Sequence, residues 1–240
     1  MGGSEAGISP YDAIAGFYDA WSRSVTEDVA FYVEEALASG GPVVEVGVGT
    51  GRIAVPTALA GVQVIGVDAS EAMLGLCRRH AEAAGVGGAL DLRFGHLDDP
   101  PVPERVPLVT CPFRSYLHLR DDAARLRALR AARRILLPNG RLVFDVFAPS
   151  REDIDETHGR WLEREAGIWE RAEWDTRTRT LTLSVRGDGG EATLSLAWAS
   201  PAQWRRLLER AGFEVEACYG WFDRRPYSGG EDTIWIATRR

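Results

Sequence analysis

The run Val43-Val44-Glu45-Val46-Gly47-Val48-Gly49-Thr50-Gly51 constrains this chain more than any other feature. A short apolar stretch ends in glycines at the mouth of a helical stretch, Arg52 to Leu59, which is the pattern of a strand turning tightly into a helix. Glycine permits that turn and lets a ligand come close to the main chain. A dinucleotide fingerprint, G-x-G-x-x-G, needs its third glycine at position 52, where Arg52 stands; the third glycine comes one residue early, at Gly51. Such a turn can receive the amino-acid and ribose parts of a ligand without cradling a pyrophosphate. A glycine-rich turn that binds nothing is the plainer alternative. Further on, Val64-Ile65-Gly66-Val67-Asp68 puts a carboxylate at the end of a second strand, placed to accept from both hydroxyls of a ribose. Taken alone, Asp68 also reads as a helix cap.

The rest of the chain alternates in the same way. Strands are expected over 43–46, 62–67, 89–94, 106–111 and 141–147, with helices over 52–59, from Ser70 to about Gly85, and from Asp121 to Leu137, stopped by Pro138-Asn139-Gly140. That order implies a parallel sheet with helices on both faces. Ahead of it, Ile14, Phe17, Tyr18 and Trp21 fall at helical spacing, and Thr26 opens a second helix that stops at Gly40-Gly41. After Pro149 the period changes to two over 168–174, 180–185 and 192–198, the signature of a small antiparallel insertion. A helix from Ser200-Pro201 to Gly212 and two strands, 214–222 and 233–238, close the chain. The expected division is 1–41 as N-terminal lid helices, 42–149 with 200–240 as the core domain, and 150–199 as an inserted antiparallel β lid.

Composition narrows the function. A net charge of −7, from 28 basic and 35 acidic residues, argues against a nucleic-acid or anionic-membrane surface. Every basic residue is arginine, so neither a lysine Schiff base nor a P-loop lysine is available. Cys77, Cys111 and Cys218 are unclustered, and His80, His96, His118 and His158 lack metal-ligand spacing, so reduced thiols and no metal are expected. The first residues, Met1 to Ile8, lack the basic and apolar regions of a signal peptide, and no apolar run is long enough for a span. A cytoplasmic setting is expected.

Glu45, Gly47, Gly49, Gly51 and Asp68 resemble the first two motifs of the class I S-adenosylmethionine-dependent methyltransferases, with matching β/α order from Val43 to Arg240. The resemblance implies a Rossmann-like α/β fold: a seven-stranded sheet, mostly parallel with its last strand antiparallel. It implies S-adenosyl-L-methionine as cofactor and S-adenosyl-L-homocysteine as product. It also carries Ala69 and Met73, after Asp68, to the adenine side, where Met73 either packs on the ring or belongs to the core. The family often shows Gly-Asp after the third strand; here the residues are Gly95-His96-Leu97-Asp98. Adenine is then met by His96, by Asp98 after a small shift, or by the backbone of Leu97.

Cys111 opens the segment that, in this family, lines the meeting point of cofactor and substrate. That segment, Thr110 to Leu119, is similar to the small-molecule branch that includes amino-sugar and glycine N-methyltransferases. Methyl transfer to a nitrogen or oxygen of a small-molecule acceptor follows, without a metal, by a monomer or homodimer. His118, whose intrinsic pKa lies near the working pH, is the candidate base or else a structural histidine. Asp145, near the end of the fifth strand, either holds an acceptor amine or bonds a loop. In the N-terminal helix Tyr18 is the residue expected to reach the cofactor carboxylate, unless it only packs in the core. Trp161, Trp169, Trp174 and Trp198 either wall a substrate pocket or pack the hairpins. A non-catalytic cofactor-binding protein is the alternative class; a nicotinamide-dependent oxidoreductase is opposed by Arg52.

Overall fold

The short apolar runs become central strands because both of their faces are covered. The structure, a computed structural model, describes residues 9–24 and 26–240; the first eight residues, with the reading that they form no leader, and Val25 lie outside the described residues. Val43–Val46 (β1) is buried at every position and lies between Val64–Asp68 (β2) and Val106–Cys111 (β4), with Val43 beside both Val64 and Leu108. Leu90–Phe94 (β3) flanks β2, and Leu136–Phe147 (β5) flanks β4. The last two strands, Phe213–Tyr219 (β10) and Asp232–Arg239 (β11), complete a seven-stranded sheet of order β10-β11-β5-β4-β1-β2-β3. Only β11 runs against its neighbours, β5 and β10, so the expected Rossmann-like sheet with an antiparallel last strand is the one observed.

Side chains alternate between the two faces. Val43, Leu108, Val143 and Ile234 meet Phe31, Tyr32 and Ala36 of the helix Glu27–Ser39 (α3). Val44, Val109, Phe144 and Trp235 meet the opposite layer, made by the helices Asp122–Ile135 (α6) and Pro201–Ala211 (α8). The helices Ala54–Leu59 (α4) and Glu71–Ala83 (α5) follow β1 and β2, and Ser70 caps α5 by accepting the Met73 N–H at 3.1 Å.

Several boundaries differ from expectation. The helix predicted to reach Leu137 stops at Ile135, because the buried Leu136 already pairs with Val106 in the sheet. Pro138-Asn139-Gly140 therefore lies within β5 as an irregular stretch, with Asn139 at φ 61°, and does not form a loop. The first helix breaks into Pro10–Ile14 (α1) and Tyr18–Trp21 (α2) around Gly16. The segment after Pro149 contains an unexpected helix, Arg151–Thr157 (α7), and an unexpected strand, Trp161–Glu165 (β6), whose charged residues hide the alternation.

β6 joins Ile168–Asp175 (β7), Thr180–Gly187 (β8) and Gly190–Ala197 (β9) in a separate four-stranded antiparallel sheet. Ile14, Phe17 and Tyr18 pack with Ile168, Val185 and Ala192, so the N-terminal helices and this sheet share one small core. Gly190 permits the contact: a Cβ there would stand 2.5 Å from the Ala13 carbonyl oxygen. No helix among the described residues is long and apolar enough to cross a membrane.

Trp204 of α8 is fully buried between Tyr116 and Phe144, with ring centroids 6.2 and 5.3 Å away. Trp204→Ala is expected to lower the unfolding free energy by about 3–5 kcal/mol in urea titrations. Trp204→Phe should cost less, because the indole N–H has no hydrogen-bond partner to lose.

Candidate active site

The carboxyl ends of β1, β2 and β4 open onto a cavity of about 310 Å³. Glu45, Gly47, Gly49 and Arg52 line it from the first turn, Asp68, Ala69 and Met73 from the second, and His96 and Leu97 from the third. Phe113, Ser115 and His118 supply the wall after β4, and Tyr11 and Tyr18 close it from the N-terminal helices.

The glycine turn is shaped by contact as well as by dihedral angle. At Gly47 a Cβ would lie 2.6 Å from the Ser115 hydroxyl oxygen, so the turns after β1 and β4 touch there. Gly49, at φ 54°, has no atom within 4 Å of such a Cβ; its main chain faces open space that a ligand can occupy. The Gly49 N–H donates to Asp68 Oδ2 at 2.8 Å and the Ser70 N–H donates to Oδ1 at 2.9 Å. Burial nevertheless holds the Asp68 pKa above its ordinary value, against the pull of these N–H groups.

Glu45 is 2% exposed, and burial pushes its pKa up to about 8, with Asp28 and Asp68 adding to the effect and Arg52 opposing it. A carboxylate in that position favours a cationic ligand. Arg52 is held from two sides. Its Nη1 and Nη2 donate to the two oxygens of buried Asp28 at 2.7 and 2.5 Å, and its Cζ lies 4.6 Å from the centroid of the Phe113 ring.

His118 is half-buried, and that burial lowers its pKa to about 4, although a hydrogen bond to the Ser195 backbone works the other way. A ring nitrogen that donates to the Ser195 carbonyl leaves Nε2 as the acceptor, 2.8 Å from the Tyr11 hydroxyl. Burial, then Tyr18 and Asp68, raise the Tyr11 pKa well above 10.0. The pair is therefore a phenol donating to a neutral imidazole. Tyr11 is positioned by Asp12, which accepts from the Ser70 hydroxyl and so ties α1 to the start of α5.

Ten of the anticipated residues thus lie together: Tyr18, Glu45, Gly47, Gly49, Asp68, Ala69, Met73, His96, Leu97 and His118. Three do not line the cavity. A Cβ on Gly51 would lie 2.6 Å from Cys77 Sγ, so Gly51 serves packing against α5. Cys111 points into the core shared with α6 and α8. Asp145, read as holding an acceptor amine or else bonding a loop, does the second: it accepts from the Tyr32 hydroxyl at 2.6 Å, the Phe113 N–H at 2.9 Å and the Arg114 N–H at 3.0 Å. Reading the sequence missed Tyr11 as a cavity residue, held Phe113 and Ser115 only as members of the lining segment Thr110 to Leu119, and noted Arg52 only as an absent glycine. The available signal for Tyr11 was its place about two helical turns before Tyr18 in the same amphipathic segment. Asp98 also lines the cavity, with its carboxylate 3.1 Å from Arg127.

Residues 43–140 match a family of methyltransferase domains. No curated protein matches the chain in sequence. Among solved structures, the CcbJ methyltransferase from Streptomyces caelestis is 28% identical over 97% of this chain and 99% of its own, with a TM-score of 0.84. An S-adenosylmethionine-dependent methyltransferase from Clostridium acetobutylicum has the same fold at 12% identity, over 95% and 98% of the two chains, with a TM-score of 0.79. CalS10, an amino pentose methyltransferase from Micromonospora echinaspora, shares the fold at 21% identity, over 94% and 97%, with a TM-score of 0.65.

In an NMR pH titration the His118 ring is expected to titrate near 4, against an ordinary 6.5. Because the folded value is the lower one, the stability linked to His118 is present above pH 6.5 and is lost as the pH falls toward 4. A midpoint near the ordinary value would mean that the ring is hydrated.

Proposed function

We propose that this chain, a class I methyltransferase over its core, transfers the methyl group of S-adenosylmethionine to a nitrogen or oxygen of a small molecule. One observation carries the reading: a single cavity joins Glu45, Gly49 and Asp68, fit for an adenosyl amino acid, to the Tyr11–His118 pair, fit for an acceptor proton. The open space against Gly49 and the buried carboxylate of Glu45 suit this cofactor, which brings positive charge and needs close approach to the main chain. When bound, it supplies an electrophilic methyl group on a sulfonium, displaced in line by the acceptor.

The protein's own residues do the rest. Glu45 faces the cationic part of the donor, Asp68 the ribose, Met73 with His96 and Leu97 the base, and Arg52 the carboxylate end. Tyr18 covers the donor from the lid side. The N-terminal helices within 1–41 and the insertion 150–199 form the lid that keeps water out, over a core of 42–149 and 200–240. Tyr11 takes the acceptor's proton on its hydroxyl oxygen as its own proton passes to His118 Nε2. A weakly basic imidazole suits that task when the acceptor's acidity rises during transfer. The amino pentose methyltransferase among the similar folds favours an amine-bearing acceptor, and a cavity of about 310 Å³ favours a compact one. The three free cysteines agree with a reducing cytoplasm.

Two measurements test this. Incubation with methyl-labelled cofactor and a panel of amines and alcohols is expected to label at least one compact amine; cofactor binding without turnover would point to a non-catalytic module instead. Calorimetry in buffers of different ionisation heat is expected to show release of about one proton per S-adenosylmethionine bound near pH 7, as Glu45 ionises beside the cation. Glu45→Gln should abolish that release and weaken binding by roughly tenfold. Folded protein giving no heat with the cofactor or its demethylated product would sink the assignment.

A further inference from the structure

Asp28, Tyr32 and Glu35 recur at spacings of four and three residues on one side of α3, and all three are buried. These polar groups reach different segments of the chain. Asp28 takes both terminal nitrogens of Arg52, in the turn after β1. Tyr32 donates to Asp145, and Glu35 pairs with Arg224 and, at 3.0 Å, with Arg141. Buried polar atoms on a helix are costly unless satisfied, so a stripe of three, each with partners outside the helix, acts as a set of struts.

Two of these struts lead to adjoining walls of the cavity. Asp145 passes the Tyr32 contact on to the Phe113 and Arg114 N–H groups. Those two residues stand consecutively at φ 55° and 63°, a left-handed conformation that neither side chain favours and that the carboxylate holds in place. The Phe113 ring, so fixed, lies against the Arg52 guanidinium that Asp28 holds from the other side. Asp28, Arg52, Phe113, Asp145 and Tyr32 thus close a ring through α3. The Gly47–Ser115 contact presses the same two turns together.

We infer that Asp28, Tyr32 and Asp145 are positioning residues for the proposed methyl transfer, holding Arg52 on the donor side and Phe113 on the acceptor side at one fixed separation. The inference rests on the cofactor reading of the cavity. None of the three lines the cavity, so each acts through the residue it holds. The groups facing Asp145 are Tyr32 and Asp28 from α3, Arg114 and Cys111 from the segment at the end of β4, and Arg52 from the glycine turn. Burial sets its pKa at about 6, with the Tyr32 hydroxyl and the Phe113 N–H favouring the ionised form. A protonated Asp145 holds the two N–H groups less tightly.

The test measures S-adenosylhomocysteine affinity by calorimetry, with melting temperatures recorded alongside. Tyr32→Phe and Asp145→Asn are expected to bind it about tenfold more weakly at about pH 8 while remaining folded. The loss in Asp145→Asn should largely disappear at about pH 5, where the wild-type carboxylate is itself protonated. In a Phe113→Leu background, Tyr32→Phe should change affinity less than about twofold, because both act through one turn. Folded variants with wild-type affinity, or losses that simply add in the double variant, would overturn the inference. Should Asp145→Asn not fold, Tyr32→Phe and the double variant decide the matter. Wild-type protein that fails to bind S-adenosylhomocysteine would instead remove the cofactor reading.

Discussion

The pairing of Arg52 with Asp28 organises the charge at the carboxyl ends of the strands. Asp28, Glu45 and Asp145 are all removed from water, and Asp68 sits at the cavity wall beside them. Burial strips these carboxylates of hydration, and neighbouring carboxylates add a smaller repulsion, which is why the pKa values of Glu45, Asp68 and Asp145 all lie above the ordinary range. Asp28 is matched directly by the guanidinium, Asp68 and Asp145 by main-chain N–H groups, and Glu45 opens onto the cavity. The site is thus short of positive charge at one wall, and a ligand bearing a cation completes it.

The same pair links chemistry to architecture. Because Asp28 belongs to α3, the glycine turn is tied to the helix that covers one face of the sheet. On the lid side, Tyr11 joins α1 to His118, and the Ser195 backbone joins His118 to β9. The N-terminal helices and the inserted sheet share a hydrophobic cluster that includes Met73 from α5. The N-terminal helices, the inserted sheet and the cavity walls are therefore one connected structure.

The cavity residues that were legible from the sequence sit where backbone chemistry forces the geometry. Gly47 and Gly49 mark a turn that other residues make only with strain, and Asp68 ends the strand beside the one that leads into that turn. The residues misplaced were those whose direction depends on the phase of a strand. Thr110 and Asp145 point to the α3 side, as Leu108 and Val143 do, whereas Cys111 points the other way with Val109. Alternation is visible in the sequence, but which face holds the cavity is not. Gly51 failed for another reason: its close neighbour, Cys77, is brought to it by the packing of α5.

From the sequence alone came the order of strands and helices, the switch to an antiparallel insertion, and the turn at Glu45–Gly51 with its acid at Asp68. These depend on local period, glycine conformation and strand ends, which are written in consecutive residues. Tertiary structure alone decided that Tyr11 meets His118, 107 positions away, that Arg52 lies between Asp28 and Phe113, and that Asp145 braces a turn. Such contacts form only when the sheet brings distant strand ends side by side and helices pack down over them. No period in a linear chain encodes that meeting.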